Sequence, residues 1–208
     1  MKTPQSKTIS SLFSSVVKMT APTLALLLLA AVPSARAQGN DNRAPSVPTN
    51  LVVPAGNKVS FHAYAVGVQI YVWTINPTNA ALNSWAFHAP QAVLYDSDGN
   101  VVGIHYAYAG PTRPAWQTES GSLVVGARLA ASTVHPPVDT NAIPWLKLQT
   151  VLTDGHGVLA HTTYIQRVNT AGGLAPAAAG STAGQVARVP YTAEYYFYRA
   201  DPSAAAAE

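Results

Sequence analysis

The sequence predicts an all-β domain, either a single antiparallel β-sandwich or a distorted barrel. Short runs rich in Val, Ile, Tyr and Thr recur from Leu51 onward, and Gly, Pro, Asn and Asp separate them. No amphipathic helical pattern of sufficient length interrupts these runs, although residues 78–87 have room for one helical turn. The chain therefore has the alternation of strands and turns that is typical of all-β folds.

The apolar runs predict eight strands. They span residues 58–64, 68–74, 92–96, 101–108, 123–130, 146–153, 158–168 and 192–198. Asp98-Gly99 and Asp154-Gly155 each lie between two of these runs, and Asp-Gly pairs supply the positive φ values that tight hairpin turns need. We therefore expect the strands on either side of each pair to be antiparallel neighbours.

The N-terminus predicts export. Three lysines precede the apolar stretch 19–32, and Ala35 and Ala37 place small residues where a signal peptidase reads them. A membrane anchor is the alternative, but the continuous apolar run 24–32 is short for a transmembrane span. The pattern predicts a signal peptide over residues 1–37, cleavage after Ala37, a secreted or periplasmic protein, and no span in the mature chain.

Charge and cysteine content limit the possible functions. The leader holds four of the 12 basic residues and none of the nine acidic ones, so the mature chain carries eight against nine, a net charge of −1. This balance excludes a basic surface for nucleic acid. The chain has no cysteine, which excludes a disulfide framework and thiol chemistry.

The mature part predicts one domain with flexible ends. Residues 38–50 form a polar, proline-containing lead, and residues 51–200 form the β domain. Within the domain, residues 175–185 are a small-residue connector, and residues 201–208 are an alanine-rich tail that we expect to be disordered.

Two motifs have simple structural interpretations. Residues 155–160 match the dinucleotide pattern G-x-G-x-x-A, but β-branched and aromatic residues follow where that pattern needs a helix. We therefore expect a hairpin there and no nucleotide cofactor. Residues 96–100 resemble the start of a calcium loop, but they lack the acidic residue that would close it, so an Asx-rich turn is expected.

Metal binding has weak support, because the histidines show no local ligand spacing. We expect no metal, with His88, His105 and His161 as the only weak candidates, brought together from distant strands. The candidates for catalysis are His105 and Arg167. The candidates for ligand contact are Tyr106, Trp116 and Trp145, which lie beside turns, although core packing is the alternative role for such aromatic residues.

A reversed tripeptide suggests a structural pair. Gln69-Ile70-Tyr71 reads as Tyr164-Ile165-Gln166 backwards, and antiparallel pairing of the two strands would bond the Gln69 and Gln166 amides and place Tyr71 opposite Tyr164. Strand alternation sends Gln166 and Arg167 to opposite faces. Arg167 then either anchors the carbonyls of the turn at residues 169–173 or binds a ligand.

Seven ordered motifs resemble an exported bacterial and fungal family. They are GVQIY (67–71), WAFHAPQAVLYDSDGNVVGIHYA (85–107), GPT followed by Trp116, SGSLVVG (120–126), AIPWLKL (142–148), YIQRVNTAGGLAP (164–176) and VPYTAEYYFY (189–198). The family is known as domain of unknown function 3455, and the resemblance spans about residues 53–198. Some fungal members carry a malate dehydrogenase label, which the failed dinucleotide motif does not support here.

The family pattern has two cysteines where this chain has Trp73 and Ser181. Joint loss of both is what a disulfide pair would produce, so the resemblance implies that Trp73 and the Ser181 connector are neighbours in space. It also implies that residues 173–185 are freer here than in relatives.

These observations favour a non-enzymatic binding protein for a small molecule, a polysaccharide or an envelope partner. Its groove would bear His105, Tyr106 and Trp116, with Gln166 and Arg167 as further candidates. The alternative is an enzyme of unknown reaction in which His105 is the acid or base and Arg167 holds an anion. A histidine-based metal-binding protein is the third possibility. An enzyme would need His105, Arg167 and a carboxylate in one cavity, whereas a binding module would show an open aromatic face without a perturbed ionisable group.

Overall fold

A computed structural model describes residues 43–111, 113–132 and 142–203. The predicted signal peptide lies outside these residues, as do Asp139 and the last five residues of the predicted tail. Within the described ranges, no helix has both the length and the apolar character needed to cross a membrane.

Eight strands form one closed antiparallel sheet. They are β1 (Asn57–Thr74), β2 (Ser84–Tyr95), β3 (Val101–Ala107), β4 (Pro114–Thr118), β5 (Leu123–Ser132), β6 (Trp145–Asp154), β7 (Thr162–Gly172) and β8 (Val186–Ala200). Each strand pairs with the next in sequence, and β8 pairs with β1 to close a barrel. Two short 3-10 helices, Thr49–Leu51 and Ala80–Leu82, complete the described elements. The all-β prediction is confirmed, with the barrel as the form adopted.

The predicted elements differ from the observed ones in several places. The runs 58–64 and 68–74 belong to one strand, β1, because Gly67 continues the strand where its lack of a side chain lets β2 approach closely. Strand β4 was not predicted, since its five residues begin with proline and are too few to show alternation. The helical turn expected within residues 78–87 is limited to the three residues of the second 3-10 helix, and β2 begins at Ser84.

The two predicted hairpins differ in their turns. At Asp98-Gly99 the turn is tight, and the Asp96 carboxylate accepts hydrogen bonds from the backbone of Asp98 and Asn100, which is the expected Asx turn. Strands β6 and β7 are antiparallel as predicted. However, β7 begins at Thr162, so residues 155–161 form a loop instead of a tight turn and the start of a strand.

The two ends of the barrel are built differently. Because neighbouring strands alternate in direction, the β2–β3, β4–β5 and β6–β7 connections share one end, which we call the closed end. There, Leu159 of the β6–β7 loop is fully buried in the main core cluster, and its backbone N–H donates to the Ser122 hydroxyl. The opposite end, where β1–β2, β3–β4, β5–β6 and β7–β8 are connected, is the open end.

The N-terminal segment covers part of the outer wall. Leu51 is fully buried in a second cluster that includes Trp145 and Tyr198, outside the barrel interior. The Gln166 amide donates to the Leu51 carbonyl, and Lys147 donates to the carbonyl of Val52. This segment therefore gives the outward-facing polar residues of β6 and β7 hydrogen-bond partners.

The predicted pairing of Gln69 with Gln166 is wrong. Gln69 lies on β1, whose neighbours are β2 and β8, whereas Gln166 lies on β7, whose neighbours are β6 and β8. Strand β8 separates them, so Tyr71 and Tyr164 are not opposite each other either. The reversed tripeptide does not determine which strands pair, because strand order depends on how all eight strands arrange around the closed sheet.

The predicted proximity of Trp73 to the Ser181 connector is confirmed. The backbone N–H of Trp73 donates to the Gln185 carbonyl, and Gly184 donates to the Trp73 carbonyl. Gly180 lies so close to the Trp73 indole that an added Cβ would come within 2.5 Å of its ring. The tryptophan side chain thus occupies the junction at which the family pattern implies a disulfide.

Candidate functional site

A cavity of about 550 Å³ enters the barrel from the open end. The strands contribute residues that alternate inward near this end, and proline residues of the connections form its rim. The lining residues are Gln69, Tyr71, Phe87, Pro90, His105, Pro111, Pro114, Trp116, Arg128, Ile143, Pro144, Leu146, Leu148, Arg167 and Tyr195. The two residues predicted as catalytic candidates, His105 and Arg167, therefore share one cavity.

His105 is a neutral acceptor in the cavity wall. Its side chain lies on β3, is 2% exposed, and stacks on Trp116 with ring centroids 4.5 Å apart. Nδ1 lies 2.8 Å from the Ala115 carbonyl oxygen, which can only accept, so Nδ1 carries the proton and Nε2 is free to accept. Burial, with a smaller contribution from the charge of Arg167, lowers the pKa of His105 to about 3, although the hydrogen bond to Ala115 opposes this shift.

Arg167 is held in place by the chain that precedes β6. Its Nε and Nη2 donate to the Pro144 carbonyl oxygen at 3.2 Å and 2.8 Å. The predicted anchor role thus involves a different carbonyl from those of the 169–173 turn. Arg167 and Gln166 lie on opposite faces of β7, as alternation predicted, with Arg167 inside and Gln166 bonded to the outer segment.

A second arginine, Arg128, also lines the cavity. It is exposed and lies on β5 two residues after Gly126, whose missing side chain leaves room for Trp116 and Leu148. Arg128 is not among the residues predicted from the sequence. Strand alternation from Val124, which is buried inside, would have placed both Gly126 and Arg128 on the inner face.

The lining contains no carboxylate among the described residues. Five of the six described acidic residues lie at or beside the closed end, namely Asp96, Asp98, Glu119, Asp154 and Asp201. The sixth, Glu194, lies outside the barrel, where its carboxylate bonds with His62, Asn169 and Tyr196. Among the residues that the structure describes, the charges at the open end of the interior are therefore cationic.

Aromatic side chains form much of the cavity wall. Tyr195 packs edge-on against Trp116 with centroids 5.2 Å apart, and Tyr71 meets Phe87 edge-on at 5.8 Å. The Tyr71 hydroxyl donates to the Gly173 carbonyl at 2.6 Å, which fixes it to the β7–β8 connection. Burial raises the pKa of Tyr195, while the Arg167 charge opposes that rise, so this hydroxyl stays protonated at neutral pH.

Other sequence candidates lie elsewhere. Trp116 lines the cavity, but Tyr106 packs in a separate cluster and donates to the Gln117 side chain. Trp145 and Tyr164 belong to the outer cluster beneath the N-terminal segment. The predicted groove therefore contains His105, Trp116 and Arg167 but not Tyr106 or Gln166.

The three weak metal candidates are separated. His105 is inside the barrel, His88 is exposed on β2, and His161 is exposed in the loop at the closed end. In the described part of the chain, no three His, Cys, Asp or Glu side chains lie close enough together to hold a metal ion.

The cavity meets only part of the criterion for an enzyme and only part of the criterion for a binding module. It unites His105 and Arg167, as an enzyme would require, but the described lining supplies no carboxylate to work with them. It has an aromatic wall, as a binding module would, but the pKa of His105 is lowered strongly by burial. Chemically, the arrangement offers two arginine side chains, a neutral imidazole acceptor and apolar surface.

Comparison with known proteins gives a family and no activity. The family model described as "Protein of unknown function (DUF3455)" matches residues 54–199, which include all eight strands except the terminal residue of β8. No curated protein and no solved structure shows a significant match to the chain. The match covers most of the sequence and the whole cavity wall, and the chain therefore belongs to the DUF3455 family.

Proposed function

We propose that this protein is an exported, non-enzymatic binding protein that takes one small organic molecule into the open end of its barrel. The cavity of about 550 Å³ carries the proposal. Sites for small organic molecules typically measure roughly 300–1,000 Å³ and combine apolar walls with a few fixed polar groups. The aromatic wall, the held guanidinium of Arg167 and the His105 acceptor supply that combination.

The cavity also favours a small molecule over the polysaccharide and envelope partners considered from the sequence. A polysaccharide bound along its chain needs a groove that is open at both ends, whereas Leu159 and the main core cluster fill the barrel beyond the cavity. The predicted export signal supports a ligand met outside the cytoplasm, because the basic, apolar and small-residue segments follow the order typical of a signal peptide.

Native mass spectrometry of the mature protein with a library of small organic compounds tests the proposal. Leu146→Trp places a large ring at a lining position, and Leu129→Trp places the same ring at a position that is 52% exposed and does not line the cavity. We expect compounds that bind the wild type to bind the Leu129 variant equally and to be lost from the Leu146 variant. Absence of any bound compound, or equal binding by all three proteins, would contradict the proposal.

A further inference from the structure

We infer that the molecule bound in this cavity is an organic anion, whose acid group pairs with Arg167 and Arg128 and whose apolar body lies against Trp116. The inference rests on the proposed function and names the class of its ligand. It is carried by the distribution of charge in the described part of the barrel.

Charge separates along the barrel axis. Arg128 and Arg167 line the cavity, and the described carboxylates lie at the closed end or on the outer face. Neither arginine forms an ion pair with a carboxylate of the described residues. Arg167 is partly buried, and a partly buried guanidinium without a counter-charge favours an anion from solution, because removal from water weakens its hydration but not its attraction to negative charge.

Arg167 is oriented before any ligand arrives. Its Nε and Nη2 each use one N–H on the Pro144 carbonyl, and a guanidinium has five N–H groups in a rigid plane. The remaining N–H groups are enough for a carboxylate, sulfonate or phosphate, which such planes bind in a bidentate manner. The fixed orientation reduces the entropy lost when an anion binds.

His105 limits which anions fit. Its neutral ring adds no positive charge, so an acid group is attracted by the arginines and not by the imidazole. The Nε2 lone pair repels an acid oxygen but accepts a hydrogen bond from an N–H or O–H group. The acid group therefore lies on the Arg167 side, while a donor on the body of the ligand lies next to His105.

The body of the ligand meets apolar surface. Beside Trp116, the lining includes Phe87, Leu146 and Leu148. A fully hydrated inorganic anion would leave this apolar surface exposed to water, whereas a flat hydrocarbon body would bury it. The combination favours an aromatic or similarly apolar acid over inorganic phosphate or sulfate.

Two fluorescent probes with nearly the same body provide the test. Anilinonaphthalene sulfonate and phenylnaphthylamine share the two ring systems and the bridging N–H, but only the first carries an acid group. We expect the wild-type protein to bind both, with the sulfonate at least about tenfold more tightly, because a charge-assisted hydrogen bond contributes on that order. Naphthoate should likewise displace the bound probe at lower concentration than naphthalene methanol, which has no acid group.

Variants separate the anion preference from general damage. Arg167→Met should abolish the preference for the sulfonate while the neutral probe still binds, and Arg128→Met should reduce it. The Arg128 side chain is exposed and makes no hydrogen bond to the described residues, so this variant remains informative if the Arg167 variant unfolds. Arg199→Met, at an exposed position near the closed end, is the matched control and should leave both affinities unchanged.

The outcomes distinguish the two proposals. If both probes bind with equal affinity and neither arginine variant changes their ratio, the anion inference fails and the binding function stands. If neither probe binds, and both competitors also leave the intrinsic tryptophan fluorescence unchanged, the proposed function fails together with the inference. A preference for the sulfonate that persists in both arginine variants also overturns the inference, because the acid group then binds elsewhere.

Discussion

The closed end and the open end of the barrel use the same strands for different purposes. At the closed end, a loop inserts Leu159 into the core, and several inward side chains of β1, β2 and β8, including Ala63, Leu94 and Phe197, are fully buried. At the open end, the same strands carry Gln69, Tyr71 and Tyr195 around an unfilled cavity. Dense apolar packing stabilises one end, and the other end keeps space and fixed charge.

This difference means that stability and binding can be changed separately. Burial of apolar side chains is the main favourable term in folding, so it concentrates where the interior is filled. A cavity forgoes that contribution, and its buried polar groups cost free energy unless they are bonded. Substitutions at the closed end should therefore change stability most, and those at the open end should change it less.

Leu159→Ala should destabilise the protein by about 2–5 kcal/mol, because it removes a fully buried side chain from the filled end and leaves a void. Its neighbour Val158 is 52% exposed, and Val158→Ala should change the free energy of unfolding by no more than about 0.5 kcal/mol. Urea unfolding of both variants measures the contrast. Similar losses in the two variants would show that the loop does not close the core.

His105 should make the open end sensitive to acid. Its folded pKa of about 3 lies below the unfolded value of 6.5, so the unfolded state binds more protons between those values. The contribution of the neutral His105 to the free energy of unfolding is therefore fully present above pH 6.5. It decreases as the pH falls toward 3, and about 2 kcal/mol of it is lost at pH 5. When the free energy of unfolding is measured at several pH values, it should decrease less steeply with falling pH for His105→Phe than for the wild type.

The exposed closed-end histidine provides the control for that experiment, since His161→Gln should keep the wild-type slope. Glu194 adds acid sensitivity to every variant: burial raises its pKa, but hydrogen bonds from His62 and Asn169 outweigh burial and lower it overall. A His105→Phe slope equal to that of the wild type would mean that the imidazole is protonated and solvated in the folded protein.

The two glutamines of the reversed tripeptide should differ in their contribution to stability. Gln166 is 1% exposed and bonds to Leu51 and Tyr198, so Gln166→Leu leaves two buried groups without partners and should cost about 1 kcal/mol or more. The Gln69 amide nitrogen is buried at the cavity without a hydrogen bond to the described residues. Gln69→Leu should therefore be neutral or stabilising, as thermal unfolding can show, and a larger loss there than at Gln166 would refute this assignment.

The sequence predicted much of the architecture because β patterning and turn chemistry are local. Alternation and Gly, Pro, Asn and Asp punctuation identified seven of the eight strands at least in part, and the Asx turn at Asp96 followed from its own four neighbours. The opposite facing of Gln166 and Arg167 was also predicted, since strand geometry alone requires it. The five-residue strand β4 escaped because so short a segment carries little periodic signal.

The site was predicted only in part. His105, Trp116 and Arg167 were identified by residue type and position beside turns, but Tyr106 and Trp145 have the same local features and lie elsewhere. Residue type does not show which inward position meets a cavity and which meets packed side chains. That depends on how β8 closes on β1 and on which connection fills the interior.

The sequence by itself determined the family, the all-β class, the turn chemistry and the alternating faces of each strand. The tertiary structure alone decided that the sheet closes, that β8 separates Gln69 from Gln166, and that His105 and Arg167 share a cavity without a described carboxylate. The physical reason is the distance along the chain over which each interaction acts. Preferences in φ and strand alternation act within a few residues, whereas sheet closure and burial depend on contacts between strands far apart in the chain.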